Sequence, residues 1–217
     1  MRDNFESKLE SLNRNMTAMA DTVCDQLKMA VAALLAKDKE KADFVIAHER
    51  TVNADYTENE RDALMLLLRE QPAARDFRFV SAAINMNTDL ERVGDQAEDI
   101  AVLVKQMIDT GYDKPNLGSI ERMSTITQHM LTDAVQAFVA GDSELARQAA
   151  MMDDMVDELF VKVRDEIVQD IRQEQVEPDL IIDLLMIAKY LERCGDHAQN
   201  IAESVLFSLT GAREKFD

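Results

Sequence analysis

A twelve-residue phrase that occurs twice constrains the architecture of this chain more than any other feature. The two copies read LERVGDQAEDIA at 90–101 and LERCGDHAQNIA at 191–202, with eight of twelve positions identical at an offset of 101 residues. Apolar residues of the first and fourth predicted helices also correspond, at an offset of 104. In a chain of 217 residues, this spacing predicts that one structural unit fills each half.

The composition favours helices throughout. Of the 217 residues 47% are apolar, yet only 5% are aromatic, and there are only six Gly and three Pro. Few β-branched runs are present to build strands, and apolar residues recur at steps of three and four. We therefore expect an all-α protein of two tandem three-helix bundles, six long helices in all, with the bundles placed end to end.

Helix-breaking residues indicate where the two repeats meet. Gly111, Pro115 and Gly118 cluster in TGYDKPNLGS, which is typical of a linker. The predicted organisation is a first repeat over residues 1–111, a linker over 112–116 and a second repeat over 117–217. The predicted helices cover roughly 4–36, 39–71, 73–109, 117–140, 143–174 and 178–210.

The charge and the cysteine content exclude several classes of protein. A formal net charge of −18 repels phosphate backbones, so we expect no nucleic-acid partner. The same charge attracts multivalent cations, although an acidic surface also serves solubility alone. Two cysteines, Cys24 and Cys194, provide no disulfide framework, which favours a cytoplasmic protein. No apolar stretch is long enough for membrane insertion, and the polar opening MRDNFE does not resemble a signal peptide.

Each copy of the repeated phrase contains two acidic residues four positions apart. These are Glu91 with Asp95, and Glu192 with Asp196. On a helix, residues at this spacing lie one above the other on one face. Because the pairs recur within the same apolar frame, we predict two equivalent cation sites, one in each half.

A second oxygen-rich pair in each half could complete these sites. At an offset of 104, HERTVNAD at 48–55 aligns with MDDMVDEL at 152–159, so that Glu49 and Asn53 correspond to Asp153 and Asp157. Facing helices would then present hard oxygen ligands, which suit Mg²⁺, Mn²⁺, Fe³⁺ or Zn²⁺ better than Cu(I). The first half contributes an amide in place of one carboxylate, so we expect its site to be the weaker one.

Gly94 and Gly195 occupy the same position in the two copies, in the middle of strong helical patterns. A glycine there costs about 1 kcal/mol relative to alanine. The usual reason for such a residue is a close approach to the backbone. Either a neighbouring helix or a bound ion cluster could make that approach.

Other polar residues near the motifs form a second tier of ligands or supporting groups. They are Asp99, Asn200, Glu203, His48, Arg92 and Arg193. The two arginines could instead form surface ion pairs with the acidic residues, worth about 0.3–0.5 kcal/mol each. The three histidines do not build a catalytic set, and no Glu-x-x-His phrase of the di-iron type occurs.

At these residues the chain resembles the PhoU family of phosphate-transport regulators, over essentially its full length. The resemblance is carried by ERTVN at 49–53, LERVGDQAEDIA at 90–101, DDMVD at 153–157 and LERCGDHAQNIAE at 191–203. The family's E(D)xxxD phrase appears in the third helix of each half and in the fifth helix of the chain. The second helix departs from it, because its phrase ends in Asn53.

The resemblance implies a six-helix protein that carries multinuclear iron or zinc clusters, or magnesium or manganese ions, on its acidic stripes. It implies a cytoplasmic homodimer or higher homo-oligomer with no catalysis of its own. The implied role is that of a negative regulator, which connects the ATPase of the phosphate ABC transporter to a membrane sensor histidine kinase.

Two other functions use the same residues differently. A metal-dependent hydrolase or di-metal oxidase would employ the same carboxylates, but it needs a general base, and the two halves share no candidate for that role. A helical scaffold without metal would leave the acidic pairs as a solvated surface.

Overall fold

The computed structural model of the chain describes residues 2–112, 117–172 and 177–216. Within these ranges the secondary structure is entirely helical, which confirms the predicted all-α fold. Residues 113–116 of the predicted linker, and residues 173 and 174 at the end of the fifth predicted helix, lie outside the described residues.

The helices follow the predicted bounds closely. They are α1 (Arg2–Ala36), α2 (Lys39–Glu70), α3 (Ala74–Thr110), α4 (Gly118–Ala140), α5 (Ser143–Met151), α6 (Asp153–Arg172) and α7 (Pro178–Thr210). The fifth predicted helix is divided at Met152 into α5 and α6, whereas α2, its counterpart in the first half, is continuous. Met152 keeps right-handed helical backbone angles, so this division is a local tightening of the helical hydrogen bonds directly before Asp153.

Local capping explains most of these boundaries. Asp38 accepts a hydrogen bond from the backbone N–H of Lys41 at the start of α2. Asp142 accepts two backbone hydrogen bonds at the start of α5. Gly111 follows α3 with a φ of 78°, a left-handed conformation that glycine adopts without strain.

The two halves lie side by side rather than end to end. Helix α3 packs antiparallel to α7 over much of its length, and α1 also contacts α4. Contacts across this boundary include the Asp89–His197 pair, 2.9 Å between Oδ1 and Nδ1, and the stacked rings of Phe79 and Phe138, 4.4 Å apart. The expectation of end-to-end bundles was wrong because α3 and α7 bury apolar residues along most of their length and pack against each other as well as within their own halves.

One apolar core therefore runs through both halves. Many of its largest fully buried side chains are methionines, as the helical stripes in the sequence predict. None of the described helices combines the length and the apolar character that a bilayer crossing requires.

Candidate metal sites

The four acidic residues predicted in the second half lie along the contact between α6 and α7, and we call the strip between these two helices the groove. Asp153 and Asp157 are one turn apart on α6, and Glu192 and Asp196 are one turn apart on α7. Asp153 lies at the bottom of the groove with 7% of its surface exposed, Glu192 is half-buried, and the other two are exposed. The Oδ1 atom of Asp153 is fully buried and has no hydrogen-bond partner. We call these four residues the second acidic cluster.

The pKa values show that these carboxylates lie within electrostatic reach of one another. Burial, followed by the charges of Asp157, Asp196 and Glu192 in that order of importance, raises the pKa of Asp153 to about 7. Burial and then the Glu192 charge raise the pKa values of Asp157 and Asp196 as well. Bringing a cation into the groove would relieve both the burial cost and the mutual repulsion.

The two mid-helix glycines are explained by the helices that face them. A Cβ atom on Gly195 would lie 2.7 Å from Oδ1 of Asp153 and 3.3 Å from Cγ1 of Val156. In the first half, a Cβ atom on Gly94 would lie 2.9 Å from Cγ1 of Val52. A neighbouring helix, rather than a bound ion cluster, therefore makes the close approach in both halves. At Gly195 the group that approaches is itself a carboxylate of the second acidic cluster.

The first half places its predicted residues in a corresponding groove between α2 and α3. Glu49 is half-buried and accepts a hydrogen bond from Nδ2 of the exposed Asn53. Burial, Asp95 and Glu49 raise the pKa of Glu91, while Arg92 lowers it. We call Glu49, Asn53, Glu91 and Asp95 the first acidic cluster.

Arg92 forms ion pairs with the first acidic cluster, which is one of the roles that the sequence leaves open for this arginine. Its Nε atom lies 3.6 Å from Glu91 Oε2 and its Nη1 atom 3.2 Å from Asp95 Oδ2. The arginine side chain is 53% exposed, so these pairs contribute little to stability. Burial and then the charge of Asp95 raise the pKa of Asp99, while Arg193 from the second half lies close enough to oppose this rise.

The remaining second-tier residues lie apart from the clusters. His48 directs Nδ1 at the backbone oxygen of Phe44, 2.8 Å away, and stacks on the Phe44 ring. Asn200 and Glu203 line a different cavity, of about 370 Å³, between α3, α7 and the C-terminal segment. Oε1 of Glu203 accepts a hydrogen bond from the backbone N–H of Phe216, at 3.3 Å.

Two residues near the clusters escaped the sequence analysis. Burial raises the pKa of Glu98, with further contributions from Glu49, Asp99 and Asp95, so Glu98 borders the first acidic cluster. Lys189 places Nζ 2.5 Å from Oε1 of Glu192 in the second acidic cluster. When the two halves are aligned, Glu98 corresponds to Gln199 and Lys189 corresponds to Thr88. Because neither residue is repeated, comparison of the two halves does not indicate them.

The donor set fits a hard cation, although its atoms are not yet gathered around one point. In the described ranges, no three His, Cys, Asp or Glu side chains are already arranged to hold an ion. Repulsion between like charges favours such a spread. An oxygen-ligated cation would satisfy the buried, unpartnered oxygen of Asp153 and would offset the charge repulsion that helps to raise the pKa values of Asp157 and Asp196.

Duplicated three-helix units with an acidic groove in each half define a distinct class of helical protein. A family model described as the PhoU domain matches residues 16–104 and again residues 120–205, once in each half. The chain belongs to the PhoU family.

Relatives and solved structures agree with this assignment over nearly the whole chain. A phosphate-specific transport system accessory protein PhoU homolog 1 of Methanothermobacter thermautotrophicus is 32% identical over 206 residues, 95% of this chain and 94% of that protein. A PhoU homolog of Caulobacter vibrioides is 31% identical over 207 residues, 95% of this chain and 90% of that protein.

The crystal structure of PhoU from Pseudomonas aeruginosa has a TM-score of 0.90 and 29% identity, covering 96% of this chain and all of that one. The crystal structure of the phosphate transport system regulatory protein PhoU from Streptococcus pneumoniae has a TM-score of 0.89 and 26% identity, covering 98% of this chain and all of that one.

Proposed function

We propose that this chain is a regulatory adaptor that restrains phosphate uptake and keeps the phosphate-starvation response off when phosphate is plentiful. The observation that carries the proposal is the match of the PhoU domain to both halves. Relatives that align with nearly the whole chain are phosphate-specific transport system accessory proteins by name. An accessory and regulatory role in phosphate transport follows from this family membership.

The proposed partners are the ATPase of the phosphate ABC transporter and a membrane sensor histidine kinase. An adaptor between these two proteins would act on the cytoplasmic side, as a homodimer or higher homo-oligomer. The acidic surface, with a net charge of −18, favours basic patches on such partners and disfavours nucleic acid.

Metal ions are the proposed cofactors, with iron or zinc first and magnesium or manganese as alternatives. The ligands in the second half would be Asp153, Asp157, Glu192 and Asp196. Those in the first half would be Glu49, Asn53, Glu91 and Asp95. A bound cation would supply positive charge between two helices that otherwise face each other with carboxylates. Within each half, the chain's own part is to present oxygen ligands from two rigid helices, so that a bound ion stiffens the surface that partners recognise.

The enzyme alternative would use the same carboxylates for hydrolysis or oxidation. It requires a general base beside the metal in a defined position. His48 corresponds to Met152 in the second half and His197 to Gln96 in the first, so the duplication conserves neither histidine between the halves. We therefore favour regulation without catalysis, and an assay of the metal-loaded protein on phosphoesters separates the two, because turnover would support the enzyme.

Deletion of the gene tests the regulatory role. In phosphate-replete medium, we expect the deletion strain to take up phosphate faster and to express the starvation response, because the restraint is removed. The measurements are uptake of labelled phosphate and a starvation-promoter reporter, and the intact gene should reverse both changes. Unchanged uptake and an unchanged reporter would contradict the proposal.

Complementation adds a test of the metal sites. We expect a gene carrying Asp153→Asn and Glu192→Gln to restore regulation only in part. The charge-matched control carries Glu158→Gln and Asp165→Asn, on the exposed side of the same helix. If both genes complement fully, the second acidic cluster has no part in regulation.

A further inference from the structure

Lys189 is the cationic side chain that lies closest to the second acidic cluster. It stands one turn before Glu192 on α7, and its Nζ atom lies 2.5 Å from Oε1 of Glu192. The lysine is 45% exposed and Glu192 is 14% exposed, so the pair lies at the mouth of the groove. The ammonium also lies over the ring of Phe160 on α6, 5.4 Å from its centroid.

The ammonium of Lys189 makes a direct contact with only one member of the second acidic cluster. It donates to both carboxylate oxygens of Glu192. By contrast, the Oδ1 atom of Asp153 is buried and has no hydrogen-bond partner. The ammonium therefore pairs with Glu192 and leaves the innermost carboxylate, Asp153, without a partner for its buried oxygen.

The first half has no lysine at the corresponding position. The repeat places Thr88 there, one turn before Glu91, and Thr88 is exposed and donates its hydroxyl to the backbone oxygen of Ile84. The positive charge of the first acidic cluster comes instead from Arg92, on the other side of Glu91 in the sequence. The counterion arrangement is thus a difference between two otherwise repeated sites.

We propose that Lys189 is a built-in competitor for the cation, held on Glu192 until a divalent ion displaces it. The inference rests on the proposed binding of metal by the second acidic cluster. A divalent ion carries twice the charge of the ammonium and can engage the buried oxygen of Asp153 as well, so it wins at sufficient concentration. Lys189 thereby raises the metal concentration that is needed to occupy the second acidic cluster. The second half binds metal more weakly than its four carboxylates alone would.

The test is a titration of the metal-free protein with Mn²⁺ by calorimetry, with the first acidic cluster silenced by Glu91→Gln and Asp95→Asn. In that background, we expect Lys189→Met to bind Mn²⁺ about tenfold more tightly, because an ion pair no longer has to be broken. Methionine keeps the length and apolar contact of the lysine stem. An unchanged dissociation constant would overturn the inference.

Lys162→Met is the matched control, because it removes the same charge from a neighbouring helix. Lys162 is 56% exposed, and its Nζ atom lies 3.9 Å from Oε1 of Glu166, which is outside the second acidic cluster. Screening at physiological salt should keep its effect below about twofold. An equal gain in both variants would overturn the inference, since general charge would then explain it.

The reverse transplant supplies a second test in the first half. Thr88→Lys, with the second cluster silenced by Glu192→Gln and Asp196→Asn, places an ammonium one turn before Glu91. We expect it to weaken Mn²⁺ binding there by about tenfold, for the same reason. If the parent protein of each background binds no Mn²⁺ at millimolar concentration, the proposed metal function itself fails. If the parents bind and the lysine changes have no effect, only the competitor role fails.

Discussion

Replacing Gly94 by valine is expected to lower the free energy of unfolding by about 3 kcal/mol. A Cβ atom alone would lie 2.9 Å from Cγ1 of Val52, which is 1% exposed and β-branched, so it cannot rotate away within its helix. Valine adds two further methyl groups at the same contact between α2 and α3. Urea unfolding followed by circular dichroism measures the change.

A double-mutant cycle on the smaller substitution shows whether this contact is the cause. Gly94→Ala improves helix propensity by about 1 kcal/mol but collides with Val52. In a Val52→Ala protein the collision is gone, so the same change should become stabilising. We expect a coupling of at least about 1 kcal/mol between the two positions. Additive effects would show that Gly94 does not serve the approach of α2.

Replacing Asp153 by asparagine is expected to stabilise the metal-free protein at pH 8 by about 2 kcal/mol. The pKa of Asp153 is about 7 in the folded protein, against 3.8 for an ordinary aspartic acid. The folded state therefore prefers the protonated carboxyl, and this stability is present below pH 4 and lost as the pH rises through 7. Asparagine stays neutral, so the difference between the two proteins should vanish near pH 4.

The same substitution should have the opposite effect on metal binding. Loss of the innermost carboxylate is expected to weaken Mn²⁺ binding in the second half on the order of 100-fold. Asp154→Asn is the matched control, because Asp154 is the next residue on α6 and is exposed. A carboxylate retained only for packing would change stability without changing affinity, and that result would contradict the assignment of Asp153 as a ligand.

Helix content and bounds were predictable because they depend on local signals. Apolar residues at steps of three and four, capping by Asp38 and Asp142, and the glycine after α3 all act within a few residues. The repeated acidic pairs were predictable for a similar reason, since a spacing of four places them on one helix face. No glycine or proline near Met152 indicated the division between α5 and α6.

The relation between the halves was not predictable from these signals. The pairing of Asp89 with His197 joins residues 108 positions apart, and neither belongs to the repeated part of the pattern. Which helix faces Gly94 or Gly195 likewise depends on tertiary packing, so the sequence left open whether a helix or an ion cluster approaches them. Lys189 was visible as a neighbour of Glu192 at a spacing of three, but its importance appears only once Asp157 and Asp196 are placed beside it.

Anomalous diffraction from crystals grown with Mn²⁺ tests the central claim most directly. We expect an anomalous peak in the groove between α6 and α7, bonded to oxygens of Asp153, Asp157, Glu192 and Asp196, and no peak there in the Asp153→Asn protein. If Mn²⁺ at saturating concentration gives no peak in that groove, or gives one only at unrelated surface carboxylates, the second acidic cluster is not a metal site.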